Sequence, residues 1–336
     1  MTSIAASIAN ELSIRETQVQ QALHLLAEGN TVPFIARYRK EATGGLDDAQ
    51  LRTIEERNTY LTELEERKAA VLDSIEEQGK LTDELRREIL AADTKARVED
   101  LYLPFKQRRR TKADIAREAG LEELAQLLID DPSAPTESTA ERFTSEGFPD
   151  AKAALDGARA ILVDRFATDA DLVGEVRDRV FAQGTMRSSV IEGKEAEGAK
   201  FKDYFEFSEP FSKLPSHRIL ALLRGEAEGV LTLDLDPGDE AGYEGMIADR
   251  FDLPVKDSEW LAKAVRWGWR TKLQVSANLD TRMRLKEKAE EGALEVFKTN
   301  LRDILLAAPA GQRATLALDP GCLLYTSPSP RDRQKS

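Results

Sequence analysis

Cysteine is almost absent from this chain of 336 residues. Cys322 stands alone, which excludes an intrachain disulfide and a cysteine-based zinc site. Histidine is nearly as scarce: His24 lies beside leucines and His217 at a helix start, neither with the spacing of a metal site. Aromatic residues make up only 6% of the chain and β-branched runs are few, so long sheets are not expected. There is no apolar run long enough to span a bilayer. The N-terminus carries no basic head and contains Glu11, unlike a secretory signal. A glycine-rich phosphate loop followed by Lys-Ser/Thr is missing, as is a nucleophile elbow around serine. These absences argue for a cytoplasmic chain without cofactor, metal, membrane contact or small-molecule substrate.

What is present suits a soluble protein of amphipathic helices, with 41% hydrophobic and 32% charged residues. The net charge of −13 opposes indiscriminate binding of nucleic acid over the whole surface. A local basic patch is still compatible with it, because salt confines such fields to about 10 Å. Ser13 and Glu16 have capping-box spacing and precede helical periodicity through Val19, Ala22, Leu23 and Leu26. A long helix is predicted from about Asp47 to Gln78, with Ile54, Leu61, Leu64, Val71 and Ile75 on one seam that Lys68 interrupts. Further helices are expected over Asp83–Ala92, Lys95–Tyr102, Lys112–Ala119, Leu121–Ile129, Ala151–Phe166 and Asp169–Gln183. Residues 184–211 have no clear form. Ser216 is expected to cap a helix over Arg218–Arg224, VLTLDLD reads as a strand, and a last helical block runs from Ser258 to Ala307 with a break near Leu279. An Ala-Pro-Gly linker then leads to LALDPG, which reads as a buried strand ending on Asp319.

Two segments concentrate cations. In VPFIARYRKE, Arg37, Arg39 and Lys40 accompany Phe34 and Tyr38, so that aromatics could stack on bases while cations meet phosphates. The plainer reading, favoured by sequence alone, makes Phe34, Ile35 and Tyr38 core and the cations surface groups. In LYLPFKQRRRTKADIA, the cations Lys106, Arg108, Arg109, Arg110 and Lys112 precede a helix with Thr111 and Asp114 at capping spacing. Side chains and helix-start N–H groups would then both face a phosphate. A solvated loop paired with the acidic helix of Glu84 and Glu88 weighs about as much. A third stretch, WLAKAVRWGWRTKL, places Trp260 and Trp267 on one helical face, read as core. Asp319 sits where RNase H-like nucleases hold a metal-binding acid. That chemistry needs several carboxylates, and nothing downstream supplies them.

In combination, NTVPFIARYRKEATGGLDDAQLR, VEDLYLPFKQRRRTKADIAREAGLEELA, FKDYFEFSEPFSKLPSHRILALLRGEAEGVL and NLRDILLAAPAGQRATLALDPG resemble the bacterial transcription accessory protein Tex family, in that family's order. The resemblance covers nearly everything up to Gly321. It implies a mainly α fold, a multi-helix N-terminal region with helix-turn-helix-like elements and a long central helix. A YqgF domain of RNase H-like fold would follow, then helix-hairpin-helix elements and an OB-fold RNA-binding domain. It further implies RNA or DNA binding, a role in transcription, and no catalysis, since the family's YqgF domain generally lacks the full set of acids.

After Gly321 the match stops, and LLYTSPSPRDRQKS looks like translated adapter sequence. The expected organisation is therefore an N-terminal helical domain over 1–195, a helical region with a short strand over 196–307, a linker over 308–313, the start of a truncated YqgF domain over 314–321, and a disordered tail over 322–336. The end after about Ala308 is expected to be mobile. The expected function is nucleic-acid binding through phosphate contacts. The alternatives are a helical scaffold for transcription or ribosomal machinery and, less favoured, an RNase H-like nuclease.

Overall fold

The structure, a computed structural model, describes residues 3–106, 110–309 and Gly311. Four helices open the chain: α1 (Ile4–Leu12), α2 (Glu16–Ala27), α3 (Val32–Tyr38) and α4 (Asp48–Glu77). The capping expected of Ser13 and Glu16 is not found, because α1 already ends on Ser13, whose φ of 54° closes that helix. Glu16 is instead the first residue of α2, and the Gln18 side chain accepts from the Arg15 N–H at 3.2 Å.

α4 runs as predicted. Asp47 accepts from the Gln50 N–H at 2.8 Å and Gln50 returns the bond to the Asp47 N–H at 3.1 Å, satisfying two otherwise free donors. Its apolar seam feeds two small cores in succession. Leu51 and Ile54 pack with Ile8, Val19, Val32, Ile35 and Leu46 from the preceding helices and loop. Leu64, Val71, Leu72 and Ile75 pack with Ile89, Val98 and Leu101 from α5 (Asp83–Ala91) and α6 (Lys95–Tyr102), and Leu61 touches both sets. Lys68 interrupts the seam for a reason: buried, it donates to the Leu90 carbonyl at 3.1 Å near the end of α5 and pairs with Glu65 at 2.8 Å. A carbonyl left free at a helix end is thereby satisfied.

The remaining described elements share one larger core extending from Ala116 to Ala289. Five helices lead into it: α7 (Lys112–Glu118), α8 (Leu121–Asp130), α9 (Thr136–Glu141), α10 (Ala151–Thr168) and α11 (Ala170–Gln183). Gly157 is what lets α10 sit so close to its neighbours, because a Cβ there would lie 2.4 Å from a Leu121 methyl and 2.8 Å from the Phe148 ring. The stretch without predicted form holds β1 (Thr185–Val190) and β2 (Glu206–Pro210). With β3 (Leu231–Asp236) they make an antiparallel sheet of order β2-β1-β3. Met186 lies opposite Glu209 on one side and Leu235 on the other. The division expected at residue 195 falls between β1 and β2, inside this sheet.

α12 (Ser216–Ala227) follows Pro215 directly, so Ser216 belongs to the helix and is not its cap. After α13 (Glu240–Arg250) and α14 (Glu259–Gly268), a π turn at Trp269–Leu273 passes into α15 (Gln274–Leu305) without the break expected near Leu279. α15 buries Ala277, Thr281, Leu285 and Ala289, but beyond them Leu294, Phe297, Leu301 and Ile304 are exposed. The fold is mainly α, as expected, with one three-stranded sheet among the described residues. The strand ending on Asp319, the start of the YqgF domain and the tail all lie outside the described residues.

Charged networks tie the α6 layer to the larger core. Arg177 on α11 reaches Asp100 on α6 and, at 3.0 Å, Asp280 on α15. Burial lifts the Asp100 carboxyl above its ordinary range even against the Arg177 hydrogen bond. Burial also works to lower the Arg177 guanidinium, but its hydrogen bonds to Asp100 and Asp280 hold it above its usual value. Alongside, Asp171 accepts from Arg97 at 2.6 Å and Arg250 at 2.8 Å. The Arg97 hydrogen bond leads in holding the Asp171 carboxyl below its ordinary value, with Arg250 adding to it against partial burial.

Two stability predictions follow from these networks. Arg177→Met leaves two carboxylates facing each other in a mostly buried site and should cost about 3–5 kcal/mol in urea unfolding. Adding Asp100→Asn should restore part of that loss, and strictly additive effects would show that the pair is not coupled. The lowered Asp171 carboxyl contributes stability above its unfolded value near about 3.9, and that contribution is lost as pH falls through the lower folded value. Asp171→Asn should therefore flatten the acid limb of a Tm-against-pH profile below about pH 4.

Candidate nucleic-acid interface

The first basic segment is a fixed loop, not a loose one. α3 is a short helix of about two turns, with Pro33 near its start, and its inner face buries Val32 and Ile35. Of the three residues read as core, only Ile35 is buried: Phe34 is 39% exposed and Tyr38 70%. Their rings stand 5.3 Å apart at a 45° tilt on the solvent side. The reason is spacing, since a helix this short carries one buried face and Phe34 and Tyr38, four residues apart, share the other.

Beyond α3 the chain turns back on itself through Thr43 N–H to Arg39 O at 3.2 Å and Gly45 N–H to Lys40 O at 2.8 Å. Buried Thr43 donates its hydroxyl to Lys40 O at 3.2 Å. Gln18 on α2 clamps the turn by donating to the carbonyls of Thr43 and Gly44 at 3.2 and 3.1 Å. Gly44 and Gly45 have φ of 63° and 92°, which a side chain would strain. Arg37, Arg39 and Lys40 project exposed from this scaffold, and among the described residues none holds an ion pair. They line a shallow concavity of about 660 Å³ with Tyr38 and Glu41. Arg15 adds a cation that the sequence did not flag: its guanidinium lies 3.0 Å from where a Gly44 side chain would begin.

The second segment is placed differently. Lys106 follows a short 3-10 turn at Leu103–Phe105, whose Phe105 carbonyl accepts from Gln78 at the end of α4 at 3.0 Å. Arg108 and Arg109 lie outside the described residues. Arg110 is spent on Glu118 of α7, while Lys106 and Lys112 are exposed and hold no ion pair among the described residues. None of the described cations here pairs with Glu84 or Glu88. The α7 start is already filled: Asp114 accepts from the Thr111 N–H at 2.8 Å and its hydroxyl at 2.7 Å, and Thr111 accepts from the Asp114 N–H at 3.2 Å. A carboxylate in that position leaves little welcome for a phosphate at the helix end itself, so any anion contact falls to the side chains.

The two segments are not brought together. The first packs at Leu51 and Ile54 of α4 and the second at Ile75 and Gln78, so roughly 36 Å of helix separates them at 1.5 Å per residue.

A third cluster was missed by reading Trp267 as core along with Trp260, which does pack against the larger core. The tryptophan that is core is Trp269, fully buried and stacked on Tyr243 with ring centroids 4.3 Å apart and planes 4° from parallel. Trp267 is 53% exposed, with the Arg159 guanidinium 4.9 Å from its ring centroid. It walls a cleft of about 320 Å³ with Thr111, Lys112, Arg159, Thr271 and Lys272. Trp260, partly buried, borders a second cleft that shares Asp156 and Arg159 with this one and is lined by Glu137, Glu141 and Asp150. The shared helical face was therefore legible, but its burial was not. Among the described residues, no group of three or more His, Cys, Asp or Glu is placed to hold a metal ion, and no helix is long and apolar enough to cross a membrane.

Trp267 supplies a direct optical check on this geometry. Acrylamide should quench a large fraction of the tryptophan emission in the wild-type protein, and Trp267→Phe should remove most of that fraction. As a surface change it should alter stability by no more than about 0.5 kcal/mol. Unchanged quenching in Trp267→Phe would mean that the indole is not in solvent.

Comparison with known proteins places the chain among close relatives. Residues 2–76 match the Tex-like protein N-terminal domain and residues 131–297 the Tex central region-like family. The Transcriptional accessory protein Tex of Neisseria gonorrhoeae is 54% identical over 327 residues, covering 95% of this chain and 43% of that protein. Protein YhgF of Escherichia coli K12 is 51% identical over 331 residues, again covering 95% and 43%. The human S1 RNA-binding domain-containing protein 1 is 27% identical over 319 residues, 89% of this chain and 32% of that protein. The chain thus spans less than half the length of these curated relatives.

Proposed function

The chain belongs to the Tex family, and from that premise we propose that it is the helical part of a nucleic-acid-binding transcription accessory protein. It would grip the phosphate backbone of RNA or DNA through side-chain charge and would catalyse nothing. The observation that carries this reading is the basic loop after α3. Arg37, in the last turn of α3, and Arg39 and Lys40, on the turn locked by Gln18 and Thr43, are exposed and hold no carboxylate partner among the described residues. Most arginines elsewhere in this acidic chain hold a carboxylate, as Arg57 holds Glu11 and Arg282 holds Glu226. Cations left unpaired on a rigid support lose little entropy when they meet phosphates. Lys106 and Lys112, with Arg108 and Arg109, would form a second contact one α4 length away. The names of the relatives, a transcriptional accessory protein and an S1 RNA-binding domain protein, support this assignment.

A second reading draws on a different observation. The exposed Leu294, Phe297, Leu301 and Ile304 on α15 suit burial against another polypeptide, as a scaffold for transcription or ribosomal machinery would need.

Binding measured over a salt series separates the two. Three phosphate contacts predict a slope of log K against log salt of about −2 for a single strand and about −2.7 for a duplex from the first loop alone. Arg37→Ala, Arg39→Ala and Lys40→Ala together should make the slope shallower by that amount while leaving the helical circular-dichroism signal unchanged. No measurable binding by the wild-type chain at low salt, with a polypeptide partner captured instead, would favour the scaffold.

A further inference from the structure

We propose that the cleft between α7, α10 and the π turn is a stacking subsite for one unpaired nucleotide, with the base against Trp267 and Arg159 and its phosphate between Lys112 and Lys272. This rests on the nucleic-acid reading above and adds to it a class of substrate, single-stranded RNA or DNA in preference to duplex.

The π turn is the first reason. In an α-helix, residues five apart point about 140° away from each other, so Trp267 and Lys272 would face different ways. The i to i+5 hydrogen bonding at Trp269–Leu273 brings them onto one wall, with Thr271 between. Such turns are rare and recur at functional sites. Here the turn also sends Trp269 into the core against Tyr243, which anchors the wall from behind.

The second reason is the state of the groups that face the cleft. Arg159 is held by Asp156 at 2.8 Å, which fixes its guanidinium over the indole and cancels that carboxylate's charge. Asp164, the other acid on the lining, is engaged by Arg117 at 2.8 Å. Lys112 and Lys272 are exposed and hold no ion pair among the described residues. The cleft therefore offers two free ammonium groups beside an aromatic surface that is more than half in solvent. Its volume of about 320 Å³ lies at the small end of ligand pockets, of order 300–1,000 Å³. The neighbouring cleft along the same face, bordered by Trp260, is larger but lined by Glu137, Glu141 and Asp150, and a phosphate would be repelled there. A base inside a duplex is stacked on its neighbours and cannot enter, whereas unpaired bases stack readily on aromatic and guanidinium planes.

The test titrates the full chain with an oligouridylate of about 12 nucleotides, its deoxy counterpart, a duplex of equal length and uridine monophosphate. Tryptophan emission and fluorescence anisotropy are read together. Both single strands should quench emission, and Trp267→Phe should abolish the quench while keeping most of the affinity. Trp267→Ala should weaken single-strand binding about 5- to 150-fold with little effect on duplex binding. Lys272→Ala should make the single-strand salt slope shallower by about 0.7. Single-strand affinity and quench that survive Trp267→Ala would overturn the subsite while leaving the basic-loop reading intact. Weaker overall affinity in the Arg37, Arg39 and Lys40 triple variant, with the full quench still reached at high oligonucleotide concentration, would support the subsite as a separate contact. If uridine monophosphate binds as tightly as the oligonucleotide, the single-strand assignment is overturned in favour of a free nucleotide.

Discussion

Arg177 holds one guanidinium between Asp100 of α6 and Asp280 of α15, and much of the architecture hangs on that contact. The helices built on α4 have their own two small cores, and the elements from α7 onward have another. Where α6 meets α11, the joint is made largely of charge: Arg177 with two carboxylates, and Asp171 with Arg97 and Arg250. Ion pairs in a joint of this kind add little net stability compared with apolar packing, but they tolerate few alternative registers because each charge must find its partner. Such a joint fixes where the end of α4, and the basic segment attached to it, stands against the larger core.

With that position fixed, α4 acts as a ruler. The loop of Arg37, Arg39 and Lys40 sits at its first turns and Lys106 at its last, so the two cationic segments stand far apart and do not form one pocket. A backbone ligand suits this spacing because phosphates repeat along it. The stacking cleft lies beyond the second segment and shares Lys112 with it. With a base bound there as proposed, base and phosphate contacts would meet at one point, which would let the protein distinguish a single strand from a duplex without reading sequence.

Much of this was legible from residue order. The limits of α4 follow from Asp47 and Gln50, and those of α5, α6, α7 and α8 from caps and periodicity that act within a few residues. What escaped was set by contacts distant in sequence. β1 and β2 are short and polar and exist because β3 pairs with one of them and that strand with the other. α1 was hidden because Ser13 and Glu16 imitate a cap when read alone. The interruption at Lys68 makes sense only once the end of α5 is placed beside it. Trp267 and Trp269, two residues apart, face opposite sides of the helix, and only the packing of Tyr243 against Trp269 decides which side is the core. At the basic loop the exposure of Phe34 and Tyr38 escaped, since apolar residues beside Ile35 read as core whether or not a second layer covers them.

The proposal that joins these surfaces is that nucleic acid touches this chain at two distant regions, the loop after α3 and the region where the second basic segment adjoins the Trp267 cleft. Ultraviolet cross-linking of the chain to a uniformly labelled single-stranded RNA, followed by peptide identification, tests it most directly. Cross-links are predicted in the peptides that contain Phe34 to Lys40, Lys106 to Lys112, and Trp267 to Lys272. Cross-links confined to other surfaces, with those three peptides unmarked at saturating RNA, would contradict the account.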